Sequence, residues 1–584
     1  MIRTSIPANN RKGIALASTA ISSILLLGVA GCSSSATPEI ASAPLACSTS
    51  SFQGEAPADA AITTAELVTG PDGDVCKVTG VLTTRGFDAP PGEARFLINL
   101  PANWNGKFLF LGGGGFDGIV PQASPAQIKA GYATLSTDSG HTASATARDA
   151  GTDSSWMRNA AGQPDEAKLI DYAFRSREQV NAKLRPLVSQ YYKGDKIKYS
   201  YFVGCSGGGR EALIAAQRTP EAFDGFVAGS PVAGKRSFLM QGRNFSALLK
   251  APLTYKQIDA VGQAVRAQCD KRDGVEDGLI QNPGACAFDP KTLVAQGVLN
   301  DAQAKALTAY LSAVEDTSGR FVTYAAPITG IGDLSSAQQP AMGGLTGISS
   351  YLTEPSPSGP SAQPWGHIQG GPILWALFNG VMTGMMLDDP NTNALGPDIL
   401  DAEGRIVPAL VEAADWKMAP YIVDPTDMKR FYQLNRKLII YHGMGDAITD
   451  PYATLDAYRH MAETAGGDDK ARDNARLFMV PDMQHCGGGT GPNSFDFLAA
   501  MENWVERGVA PDAVVATKYQ NNNPRASVER TMPLCPYPQM ARYNGTGDVN
   551  SASSWSCPAS DKRLLELDVT GKQAGLDKRV PWKR

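Results

Sequence analysis

The stretch that most constrains this chain is residues 199–218. Residues 199–203, Tyr-Ser-Tyr-Phe-Val, are aromatic and β-branched and predict a strand, and 210–218 predict a helix. Between them stands Gly204-Cys205-Ser206-Gly207-Gly208-Gly209, which fits G-x-S-x-G. Glycines at such a junction permit the sharp turn that lifts a serine hydroxyl above the edge of a sheet. The backbone N–H after the serine, on Gly207, can then point at a developing oxyanion. The motif by itself is weak, because glycine-rich turns recur in α/β proteins. Its position between a strand and a helix makes Ser206 a candidate nucleophile.

The rest of the chain supplies the matching scaffold. Residues 107–111 form an apolar run that ends in Gly112-Gly113-Gly114-Gly115, a strand followed by a tight loop. Further strands are predicted at 131–136, 223–228, 437–441 and 477–480, and a helix at 165–187. Strands alternating with helices imply an α/β fold with a mostly parallel sheet. Between 235 and 432 the pattern changes, and 321–371 is rich in Gly, Ser, Pro and Ala. This region reads as an inserted lid domain, which divides the catalytic domain into 47–234 and 433–584. With 53 basic and 58 acidic residues the net charge is −5, and no basic stripe is present, which argues against nucleic acid as the main partner.

The N-terminus reads as an address. Arg3, Arg11 and Lys12 precede a small, apolar run from 13 to 29. Val29-Ala30-Gly31-Cys32 then resembles a bacterial lipoprotein cleavage box, in which Cys32 is lipidated and Ser33 favours the outer membrane. An ordinary secretory signal or an uncleaved anchor are the alternatives. Residues 1–32 are thus a signal and 33–46 a linker, and the protein is expected to be exported, with any membrane contact made through the lipid anchor.

Eight cysteines remain beyond Cys32, an even number that suits an oxidising compartment. Proximity suggests Cys47–Cys76, Cys269–Cys286 and Cys535–Cys557, and elimination leaves Cys205 with Cys486. Many other pairings are open to eight cysteines. If Cys205 and Cys486 are bonded, their neighbours Ser206 and His485 are brought close together.

A serine nucleophile needs a base. The chain has five histidines. His460 sits in a helix-like segment, His367 in the lid, and His141 precedes Ser206, whereas on strand–elbow–helix folds the order is serine, acid, histidine. Of His442 and His485, the latter lies in a loop just after a strand, where such a base belongs. Asp446, after the 437–441 strand, completes the order, with Asp450 and Asp482 as rivals.

Gly204-Cys205-Ser206-Gly-Gly-Gly-Arg-Glu211, His442-Gly-Met-Gly-Asp446, Met483-Gln-His-Cys-Gly-Gly488 and Pro533-Leu-Cys-Pro-Tyr-Pro538 together resemble the tannase and feruloyl esterase family of α/β-hydrolases, which also holds the hydrolase of mono(hydroxyethyl) terephthalate. The resemblance spans about residues 47–557 and is weak in the lid. It implies an α/β-hydrolase fold with a large lid, Ser206 as nucleophile, His485 as general base, Asp446 as its orienting acid, and an oxyanion hole from the N–H groups of Gly207 and Gly115. It also implies a disulfide between the cysteines beside Ser206 and His485.

Asp270, Asp273 and Asp277 lie in a glycine-containing loop inside the 269–286 cysteine pair. Such a cluster needs neutralising, and hard oxygen donors suit calcium, although the spacing is not that of an EF-hand. By resemblance, the backbone carbonyls of Val275 and Leu279 complete a structural Ca2+ site.

These readings converge on an exported serine esterase that releases aromatic, hydroxycinnamic-type acids from small esters. A tannase acting on galloyl esters, a terephthalate half-ester hydrolase and a non-catalytic calcium-dependent binding protein are the alternatives. Residues 321–404 contain no Arg or Lys but offer Tyr351, Trp365, His367, Trp375 and Phe378. A pocket built from them would favour neutral phenolic acyl groups over those with a second carboxylate.

Overall fold

The computed structural model describes residues 45–144, 150–332, 347–353, 371–387, 389, 391–559 and 572–582. The signal, Cys32, most of the linker, Trp365 and His367 lie outside the described residues.

Nine strands form one mixed sheet: β1 (Ala60–Val68), β2 (Val75–Gly86), β3 (Ala89–Pro101), β4 (Lys107–Leu111), β5 (Ala133–Thr137), β6 (Tyr199–Cys205), β7 (Gly225–Gly229), β8 (Lys437–Gly443) and β9 (Ala475–Val480). Their spatial order is β1-β2-β3-β5-β4-β6-β7-β8-β9. From β5 to β9 all neighbours are parallel, as the alternating pattern implies. The meander β1–β3 is antiparallel and joins the sheet through β5.

Alternate residues of the central strands feed opposite faces. Phe108, Phe110, Phe202, Phe226, Leu438 and Ile440 enter one core, under the helices Ser176–Tyr191 and Gly207–Arg218. Leu109, Tyr201, Val227, Ile439 and Phe478 enter the other, covered by Phe497, Met501 and Trp504 of the helix Phe497–Arg507. Burial on both faces makes these strands read as continuous apolar runs.

Residues between β7 and β8 build a separate hydrophobic cluster from the helices Ser237–Lys250, Tyr255–Cys269, Asp301–Tyr310, Ile373–Gly380 and Pro408–Lys417. Tyr351, Trp375 and Phe378 are buried in its centre around Phe245. They hold this layer together and do not line the cavity at Ser206, contrary to the pocket expected from the sequence. The helix predicted at 165–187 runs on to Tyr191 and carries one π-helical turn, Asp171–Arg175.

Candidate active site

Strand β6 delivers Ser206 on a backbone no ordinary element adopts, with φ 62° and ψ −121°, and the helix Gly207–Arg218 starts at the next residue. The turn is tight because glycine removes the obstacle: a Cβ on Gly208 would lie 2.6 Å from the Gly113 carbonyl oxygen. The disulfide Cys205–Cys486 ties this elbow to the loop after β9, with the two Cα atoms 6.0 Å apart. One virtual bond of about 3.8 Å at each end keeps the Cα atoms of Ser206 and His485 within about 14 Å. All four bridges reached by proximity and elimination are present in the structure.

His485 donates from Nδ1 to Oδ2 of Asp446 at 2.8 Å. The other oxygen of Asp446 accepts the N–H groups of Ile448 and Thr449 at 2.9 and 3.0 Å, and the Thr449 hydroxyl donates to Oδ2 at 2.8 Å. Burial alone would raise the Asp446 carboxyl. The facing charges of His485 and His442 and their hydrogen bonds outweigh it and hold the group below the ordinary carboxylate range. Asp446 is therefore a fixed anion that selects the Nδ1–H tautomer of His485 and leaves Nε2 to face outward chemistry.

The rival residues take other parts. His442 is fully buried behind Asp446 and bonds Thr454. Asp450 caps the helix Pro451–Ala465 through Tyr452 and Ala453, and burial pushes its carboxyl up to about 7. Asp482 accepts the Ile280 N–H beside the acidic loop. His141 is buried against Trp156 and bonds the Phe116 carbonyl.

Gly115 and Gly207 face each other: a Cβ on Gly207 would sit 3.1 Å from the Gly115 nitrogen. Among the described residues neither N–H has a backbone acceptor. Gly115 has φ 56°, and a Cβ there would meet the Gly151 carbonyl oxygen at 2.1 Å, so the position admits only glycine. Two adjacent, uncommitted N–H groups beside Ser206 can receive an oxyanion.

A narrow cavity of about 110 Å³ opens at Ser206 and Gly207. Its aromatic wall is Phe116, Tyr172, Phe238 and Tyr421, and Leu377, Val381 and Met385 close it from the inserted layer. Tyr172 stands on the π-helical turn, and its hydroxyl donates to the Gly115 carbonyl at 3.1 Å. The sequence reading missed these residues. It also missed Arg210, although Arg210 lies one helical turn after Ser206 and so shares its side of the helix. The Arg210 guanidinium lies 4.2 Å over the Tyr172 ring and donates to the Tyr172 and Tyr421 carbonyls, while Glu211 stands 3.7 Å away.

In the acidic loop Asp270 accepts the N–H groups of Asp277 and Gly278, and Asp273 those of Val275 and Gln281. Asp277 accepts Leu279 N–H and pairs with Arg530 at 3.0 Å. Carboxylate and carbonyl oxygens are the donors a hard divalent cation takes. As placed, no three acidic, imidazole or thiol side chains converge at metal distance among the described residues.

Comparison with known proteins agrees with this architecture. The sequence model described as tannase and feruloyl esterase matches residues 76–558. A mono(2-hydroxyethyl) terephthalate hydrolase from Piscinibacter sakaiensis is 31% identical over 553 residues, covering 86% of this chain and 87% of that protein. The fold matches the crystal structure of feruloyl esterase B from Aspergillus oryzae with a TM-score of 0.69 at 23% identity, over 87% of this chain and 99% of that one. It matches tannin acyl hydrolase from Aspergillus niger with a TM-score of 0.66 at 21% identity, over 89% and 96%. A serine elbow, a buried Asp–His pair and this extent of likeness place the chain in the tannase and feruloyl esterase family, as a carboxylic ester hydrolase on an α/β-hydrolase fold.

Proposed function

We propose that Ser206, His485 and Asp446 act as a catalytic triad on esters of neutral aromatic acids, with hydroxycinnamic acids as the acyl class. His485 takes the Ser206 proton as the hydroxyl oxygen attacks the ester carbonyl, and the oxyanion rests on the N–H groups of Gly115 and Gly207. His485 then returns the proton to the leaving alcohol, and an acyl-enzyme remains. A water molecule, deprotonated by His485, attacks the acyl carbon, and the acid leaves as Ser206 regains its proton. Asp446 stays ionised throughout and stabilises the imidazolium.

The observation that carries the acyl preference is the charge state of the pocket wall. Its aromatic and aliphatic side chains suit a ring, and its cation, Arg210, is already engaged by two carbonyls, an aromatic face and Glu211. A terephthalate half-ester is the second reading. It is favoured by the identity to the terephthalate hydrolase and by Arg210 Nε, which is buried with no acceptor. A galloyl ester is the third. Comparing kcat/KM for methyl ferulate, methyl gallate and the terephthalate half-ester at one pH decides among them, and a clear lead for the half-ester overturns the neutral reading.

We also read the acidic loop as a structural Ca2+ site held by Asp270, Asp273 and Asp277 with the Val275 and Leu279 carbonyls. The ion would neutralise the loop and take no part in the reaction. Four disulfides support an exported protein, since such bonds persist in oxidising compartments. Lipidation at Cys32 remains part of this proposal.

A further inference from the structure

A second cavity, of about 520 Å³, lies between the helices Ser176–Tyr191 and Gly207–Arg218 and shares no lining residue with the pocket at Ser206. That volume is in the range of small-molecule sites. One wall is a stripe of the first helix: Arg177, Asn181 and Arg185 stand four residues apart and so share a face. Another wall is aromatic, made by Phe110, Phe202 and Phe223.

The cavity lining carries three cations, Arg177, Arg185 and Lys196, against Glu178, Glu211 and Glu221, and each of the three acids already has a partner. Glu211 is paired with Arg177 at 3.0 Å, Glu178 with Arg218 at 2.6 Å, and Glu221 with Arg430 at 3.1 Å. Arg185 donates from Nη1 to the Ala222 carbonyl at 2.5 Å and lies 5.2 Å over the Phe108 ring; among the described residues it forms no ion pair, and Asp224, the acid whose charge reaches it, is paired with Arg436 at 2.9 Å. The guanidinium is thus a half-buried cation with donors to spare. Asn181 is 7% exposed, and its Oδ1 is buried with no hydrogen-bond partner. An unmet buried acceptor of this kind is costly unless something donates to it.

We infer that this cavity binds a hydroxylated aromatic carboxylate, with the carboxylate on Arg185, the ring against the phenylalanines and the hydroxyl donating to Asn181 Oδ1. Four residues of helix rise about 6 Å, which a single para-substituted ring bridges. The floor of the cavity connects to the reaction centre. Glu211 lines it and also accepts the Gly113 N–H at 3.1 Å, in the loop that leads to Gly115. An occupant touching the Arg177–Glu211 pair therefore adjoins the group that holds the oxyanion loop. That the ligand belongs to the same class as the released acid rests on the function proposed above; the binding itself does not.

The test uses enzyme whose Ser206 has been capped with a fluorophosphonate, so that the pocket there is filled. Titration with 4-hydroxybenzoate, followed calorimetrically, should show one saturable site. Benzoate, which lacks the hydroxyl, should bind at least threefold more weakly, and Asn181→Leu should erase that difference. Arg185→Gln should weaken both ligands tenfold or more while leaving turnover of a chromogenic ester unchanged in their absence. No saturable binding to the capped enzyme, or equal binding by wild type and both variants, overturns the inference. Should Arg185→Gln fail to fold, the Asn181→Leu comparison of the two ligands decides alone. Failure of the phosphonate to label Ser206 would count against the esterase mechanism, and the cavity would then be titrated in uncapped enzyme.

Discussion

Removing the Cys205–Cys486 bridge separates what it does for stability from what it does for chemistry. The bonded residues are 281 positions apart. Chain-entropy arguments give a loop of that length a ceiling of about 5–6 kcal/mol, and structure retained in the denatured chain lowers the working figure to about 2–4 kcal/mol. Spread over a domain this large, that is a fall of only a few degrees in Tm. The catalytic consequence is larger. The bridge joins the residue before the nucleophile to the residue after the base, and a misplacement of about 1 Å at a reacting centre costs on the order of 10²-fold. Cys205→Ala/Cys486→Ala enzyme should therefore stay folded at 25 °C by circular dichroism, melt a few degrees lower, and lose about 10–100-fold in kcat on a chromogenic ester with KM within about threefold. An unchanged kcat with a lowered Tm would refute the positioning role. Recovery of Cys205 or Cys486 as a free thiol in non-reducing peptide maps would refute the bridge.

Ser206→Ala should abolish turnover without moving Tm, and Asp446→Asn should lower kcat by about 10⁴ because His485 then takes the wrong tautomer; steady-state kinetics beside a melting curve checks both. Gly115→Ala should lower kcat by about 10²–10³, since its Cβ meets the Gly151 carbonyl and the oxyanion donor must move. A chelator should lower Tm, and Asp273→Ala should remove most of that response, because a cation bound only by the folded state stabilises it; no shift and no calcium by elemental analysis leaves an acidic loop alone. Buried Asp450, with its carboxyl pushed up to about 7, holds a proton in the folded state that the unfolded chain has released above about pH 4. Its contribution to stability thus falls as pH rises from about 4 to 7, and Asp450→Asn should flatten the slope of Tm against pH in that window.

The parts of the fold that the sequence makes legible are those with local chemistry. The parallel strands are short apolar runs, most of them ended by glycine, and the elbow is a motif between two elements. The antiparallel meander is harder to see. Ala60–Val68 buries Ala60, Ile62 and Ala65, and small side chains leave little contrast with the exposed ones. Val75–Gly86 did carry a usable signal, the alternation of Val78, Gly80, Leu82 and Thr84 on the buried side. The pocket is illegible for another reason. Aromatic residues in the inserted region serve either a core or a ligand, and composition does not tell which. Tyr351 and Trp375 go to the core, whereas Phe116, Tyr172 and Tyr421 reach the cavity from three distant segments.

The elbow motif continues into Arg210-Glu211 for a reason the geometry supplies. An oxyanion donor on a glycine loop is only as good as the loop's rigidity, and glycine gives none of its own. Here the rigidity comes from buried acids. Glu211 accepts the Gly113 N–H and is held by Arg177, and the Ser139 hydroxyl donates to Asp117, whose own N–H bonds Gly114. Burial, together with the charge and hydrogen bond of Glu211, pushes the Asp117 carboxyl well above the ordinary carboxylate range, while the flanking arginines keep Glu211 ionised. The two neighbouring acids are thus shifted in opposite directions, which relieves the repulsion two anions would feel. The same four-residue repeat that brings Arg177 to Glu211 also carries Asn181 and Arg185 into the neighbouring cavity. The helix Ser176–Tyr191 therefore presents one polar face with two tasks: its N-terminal end braces the oxyanion loop, and its next two turns leave a cation and an acceptor facing open space.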